Sequence, residues 1–297
     1  MEWRLEGQAL AQWRREANQA AIAEGIDPNE VDWFLQYSTE LDKLTLRLGT
    51  FAHQESILSC YSLTDLQQRW QRRLRERCPL QYLVEVAPWR QFVLRVSPAV
   101  LIPRPETELL IDWVATQIQQ QPHLRGGHWV DLGTGSGAIA LGLASILPQA
   151  TIHAVDQSEE ALQIARQNAQ TYGYHTQVHF YQGSWWEPLA SLRGQVQGMI
   201  ANPPYIPSAE LSHLQPEVYG HEPRLALDGG EDGLRAIREL VQTAPDYLQP
   251  QGLWAIEMMQ GQGERVKQLL REQGNYEQIQ GIQDLAGIER FIVARRC

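Results

Sequence analysis

The chain has 297 residues, enough for two domains and at least one sizeable core, and its 43% hydrophobic and 20% charged make-up is that of a globular protein rather than a disordered one. A formal net charge of -10 argues against affinity built on phosphate contacts, so direct nucleic-acid binding is not expected. No run approaches the roughly 18 apolar residues of a membrane span, the start Met1-Glu2-Trp3-Arg4 lacks the pattern of a secretory leader, and the scattered Cys60, Cys78 and Cys297 fit a reducing cytoplasm with no metal-ligand spacing.

Up to about residue 80 the pattern is helical. Leu10, Trp13, Ala17 and Ala20-Ala21 recur at helix spacing, and Asp27-Pro28-Asn29-Glu30 reads as a helix start followed by the apolar face Val31, Phe34 and Leu35. Leu41, Leu44 and Leu48 extend the theme to Gly49. Thr64-Asp65-Leu66 opens a helix that ends in the basic run Arg69 to Arg77, read as a solvated face. Residues 81–101 change character. Tyr82-Leu83-Val84, then Phe92-Val93-Leu94 and Val96, are short β-like runs around Pro88, so a hairpin linker is expected. The prolines of Ile102-Pro103-Arg104-Pro105 forbid regular helix before an amphipathic helix over Glu106 to Gln119.

From residue 128 strands and helices alternate. Strands are expected over 128–131, 151–156, 178–181, 196–201, 253–257 and 291–294, with helices over 138–147, from Ser158 to about Tyr172, and over 265–273. This alternation predicts an open, mostly parallel α/β sheet. Most of the ten tryptophans are expected in cores.

Two segments carry chemistry. Asp131-Leu132-Gly133-Thr134-Gly135-Ser136-Gly137 lies between a strand and a helix, where glycines permit a sharp turn and close approach of a ligand. Asp156 ends the next strand, where a carboxylate can accept from both ribose hydroxyls. The loop alone fits either a methyl donor or a nicotinamide dinucleotide. Asp131 favours the former, since it suits a cationic methionine moiety better than a pyrophosphate.

The second segment, Asn202-Pro203-Pro204-Tyr205, follows another strand. Two prolines remove two backbone donors and leave carbonyls that only accept. With the asparagine carbonyl, these acceptors suit an NH2 group, and Tyr205 offers a face to a flat one. A planar amide nitrogen is a weak nucleophile that carries no charge to remove. The site has only to align it and to stabilise positive charge as it develops.

These segments resemble the release factor glutamine methyltransferases, the PrmC/HemK family, over nearly the whole chain. The resemblance rests on Leu101-Ile-Pro-Arg-Pro-Glu-Thr-Glu108, Asp131 to Gly137, Ala154-Val-Asp156, Asn202-Pro-Pro-Tyr-Ile206, Glu222-Pro223, Ala226 to Leu234, and Asp284-Leu-Ala-Gly-Ile-Glu-Arg290. Asn-Pro-Pro-Tyr is shared with adenine amino-methyltransferases, whereas Ile-Pro-Arg-Pro-Glu-Thr-Glu is far more specific. The resemblance implies methyl transfer from S-adenosylmethionine to the side-chain amide nitrogen of the glutamine in the Gly-Gly-Gln motif of peptide chain release factors. That activity belongs to translation termination, yields S-adenosylhomocysteine and calls for no metal. The implied fold is α/β: a helical release-factor-binding domain over 1–80, a β-hairpin linker over 81–101, and a seven-stranded Rossmann-like class I methyltransferase domain over 102–297. A monomer in the cytoplasm is expected.

By the same resemblance Gly133, Thr134, Gly135, Ser136, Gly137, Asp156, Trp185 and Asn202 bind the cofactor. Asn202, Pro203, Pro204 and Tyr205 hold the substrate glutamine, with Asn202, Pro203 and Tyr205 as the catalytic set. The chain departs from the family pattern at Glu85, where a glycine is usual, at Ser184, where an acidic residue is, and at Met258-Met259. Trp186 beside Trp185 leaves open which ring faces the adenine. Arg104, Glu106 and Glu108 are expected to form a structural ion-pair network, and His213 and His221 to be surface residues. The alternatives are a nucleic-acid amino-methyltransferase acting on adenine, a nicotinamide oxidoreductase and a non-catalytic adaptor.

Overall fold

The structure, a computed structural model, describes residues 3–297. In chain order the first elements are β1 (Trp3–Leu5), α1 (Gly7–Ala23), α2 (Asn29–Ser38), α3 (Lys43–Leu48), β2 (Ile57–Ser59), α4 (Leu63–Glu76), α5 (Leu80–Val84), β3 (Val86–Trp89), β4 (Phe92–Arg95) and α6 (Glu108–Gln120). Then follow β5 (Gly126–Leu132), α7 (Ala138–Ile146), β6 (Gln149–Asp156), α8 (Glu159–Thr171), β7 (Val178–Gln182), β8 (Val196–Ala201) and α9 (Pro216–Tyr219). The last are α10 (Arg235–Thr243), β9 (Leu248–Glu257), α11 (Gly263–Gln273), β10 (Tyr276–Gln283) and β11 (Glu289–Arg296). The chain forms two compact units. One comprises residues up to Val86 together with Gln215–His221, the other Ala87–Leu214 and Glu222–Cys297.

The first unit is helical, with a small antiparallel β1–β2 pair that the sequence pattern did not suggest. Helices α1, α2 and α4 bury Leu10, Trp13 and Ala17, then Val31, Phe34 and Leu35, then Leu66, Trp70 and Leu74. At their centre Trp13, Phe34 and Trp70 meet with ring centroids 5.9–6.5 Å apart. A capping box, in which the Ser62 hydroxyl accepts from Asp65 N and Asp65 accepts from Ser62 N, starts α4.

Three expectations are corrected here. Leu44 and Leu48 are exposed, and Leu46 fills the core instead. The basic run is not simply a solvated face: Arg73 is buried and pairs with Glu30 at 2.6 Å and Glu217 at 2.8 Å. Residues 82–84 are helix rather than strand, because an apolar run this short has no period that separates the two. Glu85, at φ 62, closes that helix in the left-handed region, which accounts for a glycine being usual there.

The second unit is built on one sheet of seven strands, in the order β10-β11-β9-β8-β5-β6-β7. Six strands run in one direction, and β11 is antiparallel to both of its neighbours. Along the central strands alternate residues serve opposite faces. Trp129, Ile200, Ala255 and Val293 face a core shared with α6, α7 and the β3–β4 hairpin. Val130, Met199, Trp254 and Ile292 face a core shared with α10 and α11. The hairpin is anchored to α8: Tyr172 Oη bonds both backbone groups of Val93, and Asn168 those of Arg95. The edge strand β10 and helix α10 are additions to the elements expected from the sequence.

This topology places the site. From β5 the chain moves outward to β6 and β7, then returns to β8 on the other side of β5. The order therefore reverses between β5 and β8, and a crevice opens beyond their carboxyl ends. The glycine loop leaves β5 and Asn202 leaves β8, so the two chemical segments face one opening.

Candidate active site

A cavity of about 520 Å³ lies at these strand ends. Gly133, Thr134, Gly135, Ser136, Asp156, Trp185, Asn202 and Pro204 all line it. Gly137 stands behind the loop, where its φ of 85 starts α7, and Pro203 and Tyr205 lie outside the lining set. The loop is fastened from both sides. Gly133 N and Thr134 N donate to Val155 O at 2.9 Å, and Gly135 N donates to Asp156 Oδ2 at 2.8 Å. Asp156 Oδ1 also accepts from Ser158 N at 2.9 Å. Burial raises the Asp156 carboxyl above its ordinary value, against these two hydrogen bonds.

Asp131 has a role other than the one expected of it. It is fully buried and absent from the cavity lining. Its Oδ2 accepts from Thr134 Oγ1 at 2.5 Å and Ala140 N at 3.0 Å, so it ties the loop to the first turn of α7. Its Oδ1 has no partner, and burial pushes the carboxyl up to about 7.

The structure separates the two tryptophans. Trp186 is core, stacked on Tyr247 at 4.4 Å. Trp185 adopts φ 47, an uncommon backbone for a bulky residue, which turns its ring to the cavity. A Cβ on Gly133, itself at φ 79, would lie 3.6 Å from that ring, so glycine there preserves the space as well as the turn. Ser184 accepts a hydrogen bond from Gln157 Nε2 at 3.1 Å. Met258 is fully buried in the core beside α11, where its adaptable side chain packs, and Met259 is half-buried.

Arg104, Glu106 and Glu108 do not form the expected ion-pair network with one another. Arg104 lines the cavity and pairs with Glu222 at 2.7 Å; burial raises the Glu222 carboxyl, which Arg104 opposes. Glu108 accepts from Arg90 N at 2.9 Å, whereas Glu106 is exposed. His221 is bonded to Glu76 O at 2.7 Å, and His213 is exposed.

Behind Asn202 lies a chain of polar groups. Asn202 Nδ2 donates to Thr107 Oγ1 at 3.3 Å, and Thr107 donates to Glu257 Oε2 at 2.5 Å. Tyr205 Oη donates to Glu257 Oε1 at 3.0 Å. Burial raises the carboxyl of Glu257, opposed by these two hydroxyls, and burial with the facing carboxylate raises the Tyr205 phenol. Sequence reasoning placed Glu257 only as a strand end. The signal that marks it is one ionisable side chain closing the otherwise apolar run Leu253 to Ile256.

Residues 123–276 match a family model described as a methyltransferase domain. The chain is 54% identical to a release factor glutamine methyltransferase of Synechocystis, over 98% of this chain and 97% of that one. A second protein of that name, from Thermosynechococcus vestitus, is 48% identical over 98% and 99%. The chain belongs to the release factor glutamine methyltransferase family. It is therefore a methyltransferase. Among solved structures, the hMettl16 catalytic domain in complex with MAT2A 3'UTR hairpin 6 matches with a TM-score of 0.56, 11% identity and 88% of each chain covered, a likeness of fold.

Members of a methyltransferase family use S-adenosylmethionine, and the cavity residues fit it. Its volume lies in the range of small-molecule sites. The Asp156 carboxylate retains acceptor capacity beside its backbone hydrogen bonds, and Gly135 leaves open space where a Cβ would stand. Trp185 presents a flat aromatic ring to the cavity. No helix among the described residues is long and apolar enough to cross a membrane.

Proposed function

We propose that this enzyme methylates the side-chain amide nitrogen of the glutamine in the Gly-Gly-Gln motif of peptide chain release factors, with S-adenosylmethionine as donor. The observation that carries the reading is that Asn202 and Pro204 line the same cavity as the glycine loop and Asp156. S-adenosylmethionine, when bound, supplies a methyl group activated by its sulfonium. Asp156, the glycine loop and Trp185 hold the donor. The Asn202 carbonyl and the proline-flanked backbone accept from the two N–H bonds of the glutamine amide and align its nitrogen. As the nitrogen gains positive charge these acceptors bind it more strongly, so the arrangement favours the transition state over the ground state. The proton leaves after transfer, and no general base is needed beforehand. The helical unit serves as the surface that holds the release factor, with the β3–β4 hairpin as linker. The same reading calls for no metal and a monomeric enzyme of the cytoplasm.

Mass spectrometry of a release factor incubated with enzyme and donor is expected to show one added methyl group on the Gly-Gly-Gln glutamine. A folded enzyme that leaves this residue unmodified contradicts the assignment, and transfer of labelled methyl to DNA or RNA instead supports the adenine alternative. The division of labour is tested by two variants. Asn202→Ala is expected to lower the transfer rate about a hundredfold with a smaller change in donor affinity. Asp156→Ala is expected to weaken donor binding about tenfold or more, consistent with loss of charged hydrogen bonds. Equal loss of donor binding in both, measured by calorimetry, contradicts the roles given to them.

A further inference from the structure

We infer that Glu257 and Thr107 are positioning residues which fix the orientation of the Asn202 carboxamide; the inference rests on the function proposed above. A threonine hydroxyl has one hydrogen to give. Thr107 Oγ1 lies 2.5 Å from Glu257 Oε2, so that hydrogen goes to the carboxylate and the oxygen is left as an acceptor only. Only the NH2 end of the Asn202 amide can then face Thr107, as the 3.3 Å contact from Nδ2 shows. The carbonyl oxygen Oδ1 is thereby assigned to the cavity that Asn202 lines.

Without this chain the two ends of the amide are nearly equivalent in shape. A flipped Asn202 would present a donor to the substrate amide, itself a donor. The cost would fall on the acceptor that the reaction needs, while the bulk of the site stayed unchanged. Glu257 also accepts from Tyr205 Oη at 3.0 Å, so one buried carboxylate holds both ends of the Asn202–Tyr205 segment. Burial raises the Glu257 carboxyl, and the two hydroxyl donors converging on its two oxygens oppose that rise in favour of the ionised form. Thr107 and Glu257 are buried, Thr107 at the cavity lining and Glu257 behind it, and the role assigned to them is exerted through Asn202 and Tyr205.

The test is steady-state methylation of a release factor, with donor affinity measured by calorimetry. Thr107→Val keeps the shape and removes the hydroxyl. The expected result is a fall in kcat of about a hundredfold, with KM for the release factor and Kd for S-adenosylmethionine within about twofold of wild type. Thr107→Ser restores the hydroxyl and is expected to keep kcat near wild type. Glu257→Gln, which can donate to Thr107 and so release its hydrogen toward Asn202, is expected to lower kcat similarly. The double variant Thr107→Val with Glu257→Gln is expected to be no slower than the worse single one, because both break one chain. A kcat for Thr107→Val within about threefold of wild type overturns the inference. So do failure of serine to rescue, multiplying losses in the double variant, or donor affinity that falls in parallel with kcat. If the valine variant does not fold, Glu257→Gln against Thr107→Ser decides by the same kcat and Kd comparison. Wild-type transfer is scored in the same assay. Failure of the functional reading therefore appears as no methylation by any form, and failure of the positioning role as transfer that the variants leave undiminished.

Discussion

At the scale of single residues the site depends on carboxyls that burial has shifted. Burial pushes the Asp131 carboxyl up to about 7, against 3.8 for an ordinary aspartate. Between those values the folded protein keeps a proton that the unfolded chain has released. Its contribution to stability is thus full below about pH 4 and is lost as pH rises through about 7. His153, lowered by burial to about 4, acts with the opposite sign, since its contribution is lost as pH falls from about 6.5. The two windows overlap, so the Asp131 effect is read as a difference between variant and wild type. For Asp131→Asn, the melting temperature minus that of wild type is expected to rise by a few degrees from about pH 5 to about pH 8. Thermal denaturation monitored by circular dichroism checks this, and an unchanged difference refutes it. The sequence showed an acidic residue before the glycines. Only the fold shows it turned inward onto Thr134 and Ala140.

At the scale of elements, strands and helices with a strong period were legible, and the rest failed for identifiable reasons. The central strands are buried on both faces, so their apolar runs stand out. The edge strand β10, Tyr-Glu-Gln-Ile-Gln-Gly-Ile-Gln, pairs with β11 alone and is mostly exposed, so it needs no such run. Helix α10 does carry the spacing, at Ala236, Ile237, Leu240 and Val241, yet its start is masked by the glycine-rich segment before it. That segment supports the Asn202–Tyr205 segment. Gly233 has φ 74, and a Cβ there would stand 2.3 Å from Tyr205 O and 2.6 Å from Gln262 Nε2. Gln262 Nε2 also donates to Tyr205 O at 2.9 Å. Gly233→Ala is expected to cost roughly 1–2 kcal/mol for the left-handed backbone, with the overlap adding to it, and to lower kcat by displacing Tyr205. Urea denaturation and steady-state rates measure the two effects. Wild-type values for both would show that the loop yields freely.

At the scale of the whole molecule, the helical unit is not one continuous piece of chain. Residues 215–221 return to it, bringing Glu217 to Arg73 and His221 to Glu76 O. A chain cut after residue 86 leaves Arg73 with Glu30 alone, and loss of a partner from a buried ion pair is costly. Such a fragment is expected to show faster amide exchange in α4 than the full chain does, and equal protection would refute the dependence. By itself the sequence determined the α/β class, the helical beginning, and the two chemical segments, because local periods and glycine or proline geometry act over a few residues. Only the tertiary structure decided which tryptophan faces the cavity, that Asp131 braces the loop, and that Glu257 stands behind Asn202 and Tyr205. The last of these depends on contacts between Thr107, Asn202, Tyr205 and Glu257, which are distant in the chain and meet only when β8, β9 and the start of α6 are packed together.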